Sequence, residues 1–296
     1  EKSKLNKRIM IEFISRKTAD RFYRRLKCIN LNCEVLFISG LDSVIERKKI
    51  INKVRKSSNL VLVATQVIEA GVDIDMDIGY KDISKLDSEE QFMGRINRSS
   101  KNNGLVYFFD LDSASKIYKN DERIDKRFTL KTEECRNILE TKDFVSYYNE
   151  LLDIIELIKK ENNENNLDSF FRNQVGMLNY DKIALKMNLI LDTRDRITIY
   201  LASIVYDDGT SFNGKEIWES YEELLNDNDM DYSKKIVELS KIKSKMNYFT
   251  YQVDRNCKFD YDKQIGDIYY IEEGAKYLED GKLNMAIFDT ENELFI

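Results

Sequence analysis

The sequence contains no histidine and no proline in its 296 residues. Without an imidazole, Ser-His-Asp and Cys-His catalysis are excluded, as is any metal site that needs a histidine ligand. Without proline, no turn rests on a pre-set φ. Tryptophan occurs once, and the four cysteines are Cys28, Cys33, Cys135 and Cys257. They have no zinc-ribbon spacing and no secretory context, so they read as reduced thiols rather than bridges. No apolar run reaches the length of a membrane span, and the N-terminus is not signal-like. A cytoplasmic location with no membrane partner is therefore expected.

What is present suits a soluble chain. Apolar residues make up 42% and charged residues 34%, enough to bury a sizeable core in one large or two ordinary domains. The net charge of −6 hides an asymmetry. Residues 1–120 carry 23 Lys+Arg against 16 Asp+Glu, and the remainder 24 against 37. A basic first part beside an acidic second part suggests that only the first meets a polyanion.

Strand and helix patterns alternate along residues 1–120. Ile9–Ile14 reads as a strand, and Ser15 caps a helix through Lys27 with Ala19, Phe22, Tyr23 and Leu26 on one face. Val35–Ile38 is a second strand, and Asp42 or Ser43 starts a helix to about Lys56. Leu60–Ala64, Asp77–Ile83 and Leu105–Leu111 follow as strands, with a short helix from Asp87 or Ser88 carrying Gln91 and Met93. This order predicts βαβ units, an α/β class and a parallel sheet with right-handed crossovers. Past residue 120 the alternation stops, and an α+β accessory domain over 121–296 is expected. Helices are predicted over Phe128–Glu140, Asp143–Lys160, Asp181–Leu191, Lys215–Leu225 and Tyr232–Met246. Strands are predicted over Ile197–Val205, Tyr248–Val253, Asp267–Ile271 and the Asn284–Ile296 region, with Glu161–Asn166 as a polar linker.

The chemistry concentrates between Leu60 and Ser100. The run ATQVIEAGVDID starts at the C-terminal end of a buried strand, where ligands sit in open α/β sheets. QFMGRINR follows it. These two runs resemble motifs V and VI of superfamily 2 helicases, and in detail the CRISPR-associated helicase–nuclease of type I interference systems. The resemblance implies a RecA-like sheet, the P-loop NTPase-type helicase C-terminal domain, followed by an accessory domain. It implies the C-terminal half of an ATP-dependent helicase that translocates on single-stranded DNA. An N-terminal half with the phosphate loop and a histidine-aspartate nuclease is expected outside this chain, and an RNA-guided CRISPR surveillance complex is the implied partner. ATP and Mg²⁺ would be shared with that first RecA-like domain. The chain has no G-x-x-x-x-G-K-[ST] loop and no aspartate-glutamate-x-histidine box, so it should not hold ATP tightly alone.

By the same resemblance Arg98 is the arginine finger, Arg95 its partner at the γ-phosphate, and Gln91 a bridge toward the nucleotide. A guanidinium stays charged and suits the equatorial oxygens of a transferring phosphoryl group. Gly71 allows a tight backbone path, and Asp73 reaches the ribose or orders Arg98. Thr65 and Gln66, and motif IV-like Ser15 and Arg16, are implied to face a nucleic-acid backbone, with Ser39 and Gly40 as their downstream companion. Ser15 as a simple helix cap is an equal reading. Asp75 and Asp77 read as a loop that pairs with arginines in preference to a metal site, and no metal ligands are expected. Two other functions remain open: a superfamily 2 helicase of RNA or DNA repair, and a non-catalytic RecA-like binding module.

Overall fold

The computed structural model describes residues 6–29, 31–68, 72–100, 103–119, 121–161, 170–187 and 196–288. By contact the chain falls into two units. One is Glu1–Phe37 with Val54–Asp192, and the other is Ile38–Lys53 with Thr193–Ile296.

The first unit is built on a five-stranded sheet. Its strands are β1 (Arg8–Glu12), β2 (Glu34–Ile38), β3 (Leu60–Ala64), β4 (Ile78–Asp82) and β5 (Leu105–Phe109). Their order is β2-β3-β1-β4-β5, with β1 parallel to β3 and β4, and β4 parallel to β5. This is the RecA-like α/β arrangement expected from the alternation. All five residues of β3 are buried, as its unbroken apolar run requires. Helix α1 (Arg16–Cys28) is capped by Ser15, whose side chain accepts from the Thr18 amide. It lays Ala19, Phe22, Tyr23 and Leu26 on Ile9, Phe13 and Phe37. Helix α2 (Val44–Lys56) starts with Ser43 Oγ accepting from the Glu46 amide at 3.2 Å.

Helix α3 (Leu86–Met93) begins earlier than expected. Lys85 stands at its N-cap without a side-chain cap bond. Asp87 instead accepts from Arg123 at 3.1 Å, and Ser88 is buried. Gly79 in β4 lets this helix come close, since a Cβ there would lie 2.6 Å from the Phe92 ring and 2.9 Å from Ile96. Helices α4 (Glu133–Thr141) and α5 (Phe144–Glu161) share a core with Leu86 and Phe108. The helix expected from Phe128 starts only at Glu133, because Thr132 caps it by accepting from the Cys135 amide at 3.3 Å. Helix α6 (Tyr180–Met187) covers the start of the Asp181–Leu191 expectation, whose end lies outside the described residues, as does most of the Glu161–Asn166 linker.

The second unit centres on β6 (Arg196–Leu201). It runs parallel to β11 (Ile268–Ile271) and antiparallel to β9 (Thr250–Asp254), and β10 (Lys263–Ile265) extends the edge. One cluster joins Tyr200, Phe249 and Tyr270 to Trp218 of α7 (Gly214–Asn226) and to Met246 of α8 (Tyr232–Met246). A second cluster gathers Ile197, Ile199, Leu201 and Tyr251. The Ile197–Val205 strand is in fact two. After Leu201 the chain leaves the sheet, and β7 (Ile204–Asp207) pairs with β8 (Thr210–Asn213) around Asp208-Gly209. Both turn residues have positive φ, 48° and 81°, the conformation a two-residue Asp-Gly hairpin demands. Two short strands, β12 (Leu278–Glu279) and β13 (Lys282–Leu283), form a second hairpin. Asn284 caps a 3₁₀ turn over Met285–Ile287 where a strand was expected, and residues 289–296 lie outside the described residues.

Candidate functional site

The two resembling motifs are joined by main chain. Helix α3 ends at Met93, so Arg95 and Arg98 do not share a helix face. Instead the chain after α3 runs beside the segment before β4 as an isolated parallel bridge, Met76 to Ile96. The Met76 amide donates to the Arg95 carbonyl at 2.9 Å, and the Asn97 amide to the Met76 carbonyl at 2.7 Å. Asn97 turns with φ 50°, a conformation asparagine tolerates better than most residues.

Asp75 then anchors the next two residues. Its carboxylate accepts from the Arg98 amide at 2.8 Å and from Ser99 Oγ at 2.6 Å. Burial works against its charge, but Ser99, the Arg98 amide and the Arg8 guanidinium together hold its carboxyl below the ordinary carboxylate range. Asp77 accepts from the Arg8 amide at 2.8 Å and pairs with the Arg8 side chain at 3.5 Å. Asp75 and Asp77 thus meet an arginine, and among the described residues no group of three or more carboxylates, cysteines or histidines is arranged to hold a metal.

Arg98 extends to the surface, where Nη1 donates to Asp73 Oδ1 at 2.5 Å. Asp73 is itself clamped by Arg55, whose Nε donates to the Asp73 carbonyl at 3.1 Å. The Arg98 and Asp73 side chains are 48% and 72% exposed. Exposed pairs of this kind contribute roughly 0–1 kcal/mol, so a phosphate can displace the carboxylate at little cost. Arg95 is half-buried and reaches the Ile68 carbonyl in a long contact of 3.5 Å. Gln91 is exposed on the last turn of α3. Gly71 lies outside the described residues.

The residues read as nucleic-acid contacts fall in two places. Ser15, Arg16, Thr65 and Gln66 are at the C-terminal ends of neighbouring strands β1 and β3, and Gln66 Nε2 ties them by donating to the Ile14 carbonyl at 3.0 Å. Ser15 spends its hydroxyl on the α1 cap, and Thr65 is 6% exposed. Ser39 and Gly40 belong by contact to the second unit. Ser39 is 2% exposed, with its hydroxyl accepting from the Leu41 amide at 3.4 Å, and Gly40 is the exposed tip of that loop.

Sequence reasoning did not single out Arg8 or Arg55 as partners of the acidic loop. Arg8 had a signal: it begins β1 as Asp77 immediately precedes β4, and the two strands pair in parallel. Arg55 had none, since it meets Asp73 only after α2 has packed.

Residues 15–101, which hold this arrangement apart from Arg8, match the family described as CRISPR-associated nuclease/helicase Cas3, C-terminal. A curated Cas3, the CRISPR-associated nuclease/helicase of Methanothermobacter thermautotrophicus, is 31% identical over 137 residues. That match covers 42% of this chain and 16% of the archaeal protein. The crystal structure of T. fusca Cas3 with AMPPNP shares the fold at TM-score 0.50 and 15% identity, over 95% of this chain and 38% of that one. The T. fusca Cas3–ATP structure does so at TM-score 0.50 and 14% identity, over 91% and 36%. The chain therefore spans well under half the length of the Cas3 proteins it matches.

Proposed function

We propose that this chain supplies the second helicase domain of an ATP-dependent single-stranded DNA translocase that serves CRISPR defence. In this reading Arg98 is the arginine finger. The observation that carries it is the way Arg98 is held: its backbone is fixed by Asp75 and the Met76–Ile96 bridge, while its guanidinium rests on a solvent-exposed carboxylate. A main chain tied by hydrogen bonds and a side chain resting on an exposed ion pair suit a group that must reach a phosphoryl transition state formed on another domain.

The division of labour follows from the residues. Arg98, with Arg95 behind it and Gln91 beside it, would supply positive charge and hydrogen bonds to the nucleotide. Asp73 would order Arg98 between turnovers. Asp75 and Asp77 meet arginines, so Mg²⁺ would be held by the phosphate-binding domain of the whole protein. Thr65, Gln66, Ser15 and Arg16 would contact the sugar-phosphate backbone without reading sequence, and the Ser39-Gly40 loop would do so as well. Residues 1–120 would form the helicase domain and 121–296 the accessory one. A nuclease outside this chain would cut the DNA, an RNA-guided surveillance complex would recruit the enzyme, and the work would be cytoplasmic.

ATP turnover by the full-length protein, with single-stranded DNA, single-stranded RNA or no nucleic acid added, tests this. Stimulation by DNA alone supports it. Stimulation by RNA moves the protein to an RNA helicase, and no turnover under any condition rejects catalysis.

A further inference from the structure

The loop after β2 is held from within its own unit by the tip of the β12–β13 hairpin. Its turn residues, Asp280 and Gly281, have φ 51° and 79°. The turn presses on the start of α2 so closely that a Cβ on Gly281 would lie 2.8 Å from Glu46 Oε1. The next residue, Lys282, donates from Nζ to Asp42 Oδ1 at 2.7 Å. The Asp42 side chain is only 4% exposed, and its other oxygen accepts from the Ser39 amide at 2.6 Å. Ammonium, carboxylate and amide thus form one line that ends at the backbone of the Ser39-Gly40 loop. A further link holds the first turns of the same helix: Lys48 donates to Asp207 at 2.8 Å and to Asp208 at 2.7 Å.

We propose that Lys282 is a positioning residue for nucleic-acid binding: through Asp42 it fixes the Ser39-Gly40 backbone where a single-strand phosphate meets it. This rests on the reading of that loop as a backbone-contacting element. Two physical effects act together. A nearly buried carboxylate beside a polyanion's path would repel it, and the Lys282 ammonium cancels that charge. A charge-assisted bond to the Ser39 amide also sets the loop's conformation before the strand arrives, so the ordering cost is already met.

The test uses the full-length protein and a labelled single-stranded oligothymidylate, with affinity measured across a range of salt. Lys282→Met and Asp42→Asn should each weaken binding about tenfold, and the double variant should be no weaker than either single one. Lys282→Arg should recover most of the loss, and ATP affinity should be unchanged throughout. Asp42→Asn is the telling variant, because it removes a negative charge near a polyanion and is still expected to weaken binding. The slope of log affinity against log salt should stay at its wild-type value in Lys282→Met. A slope shallower by about 0.7, with tighter binding by Asp42→Asn, would make Lys282 a direct phosphate ligand and overturn the relay. Additive losses in the double variant overturn it too. Gly40→Glu separates the two readings, since nothing lies within 4 Å of a Cβ placed there. If Gly40→Glu weakens binding and the Lys282 variants do not, the loop is a contact and the relay is wrong. If Gly40→Glu binds normally, the loop is no contact and the relay falls with it.

Discussion

Lys81→Met is the most exacting test of how the first unit is held together. Lys81 lies in β4, opposite Glu12 of β1 in the parallel register. It pairs with Glu12 and, at 3.6 Å, with Glu89 of α3. The three side chains are 1–2% exposed. Glu89 also accepts from the Ser84 amide at 2.6 Å, so the cluster ties α3 to the strand ends. Methionine fills much of the lysine's volume but leaves two carboxylates with no cation between them. At an effective dielectric of about 20, losing an attraction over 3.6 Å costs about 4–5 kcal/mol. A carboxyl can escape part of that by taking up a proton, which caps the loss for one group at about 4 kcal/mol at pH 7 and about 1 kcal/mol at pH 5. The sign is set by the variant's folded state binding a proton that the unfolded chain has released. Its stability therefore falls as pH rises through and above the ordinary glutamate range. For a unit of this size the pH 7 loss lowers the melting temperature by about 8–16 °C. Thermal unfolding of wild type and variant at pH 5, 6 and 7 reads this directly. A deficit that does not change with pH, or one below about 1 kcal/mol at pH 7, would mean that water reaches the cluster and would refute the reasoning.

Arg98→Ala should cut ATP turnover by about 10³–10⁵ while leaving single-stranded DNA binding near wild type; turnover within tenfold of wild type would remove the finger role. Thr65→Ala should weaken single-strand affinity about 2–10-fold with ATP affinity unchanged, and equal losses in both would contradict its assignment to nucleic acid. Gly79→Ala should overpack β4 against Phe92 and Ile96 and destabilise by about 1–3 kcal/mol, and turnover should fall with it, because the same contact seats the segment that carries Arg98. Asp75→Ala should cost about 1–2 kcal/mol near neutral pH. Since the folded protein holds the Asp75 carboxyl below the ordinary carboxylate range, that deficit should be complete above about pH 5 and should shrink as pH falls through its titration, which unfolding at pH 3 and pH 7 compares.

The α/β order was legible because each helix carries one apolar face and each strand one short apolar run. Those patterns survive whatever the partner elements are. Register was not legible, and it decides where Glu12 and Lys81 go. As letters in a strand they read as solvent-facing, and only the parallel pairing of β1 with β4 turns them into a buried couple. The β7–β8 hairpin was present as Asp208-Gly209 between β-type residues but was hidden by reading Ile197–Val205 as one strand. At the site, the types and order of the motif residues pointed to arginine and aspartate. What spacing did not convey is that Arg95 and Arg98 lie past the end of α3, placed by backbone bonds. The second unit was least legible, because Lys282 and Asp42 are 240 residues apart and meet only after both have folded.

The bridge between Met76 and Ile96 has a bearing on which changes this domain can absorb. Its bonds run through main-chain groups, so the side chains on either strand can be exchanged for others of like size without moving the arginine. Chain length is another matter. One residue inserted or removed inside the bridged segments, between Asp75 and Met76 or between Ile96 and Arg98, would shift its neighbour along the chain by about 3.3 Å and exchange the faces on which alternate residues fall. Asp75 would then face a different amide, and the guanidinium would be displaced from any phosphate it serves. The spacing inside each bridged segment is thus a ruler, and the domain tolerates misspelling along it far better than miscounting.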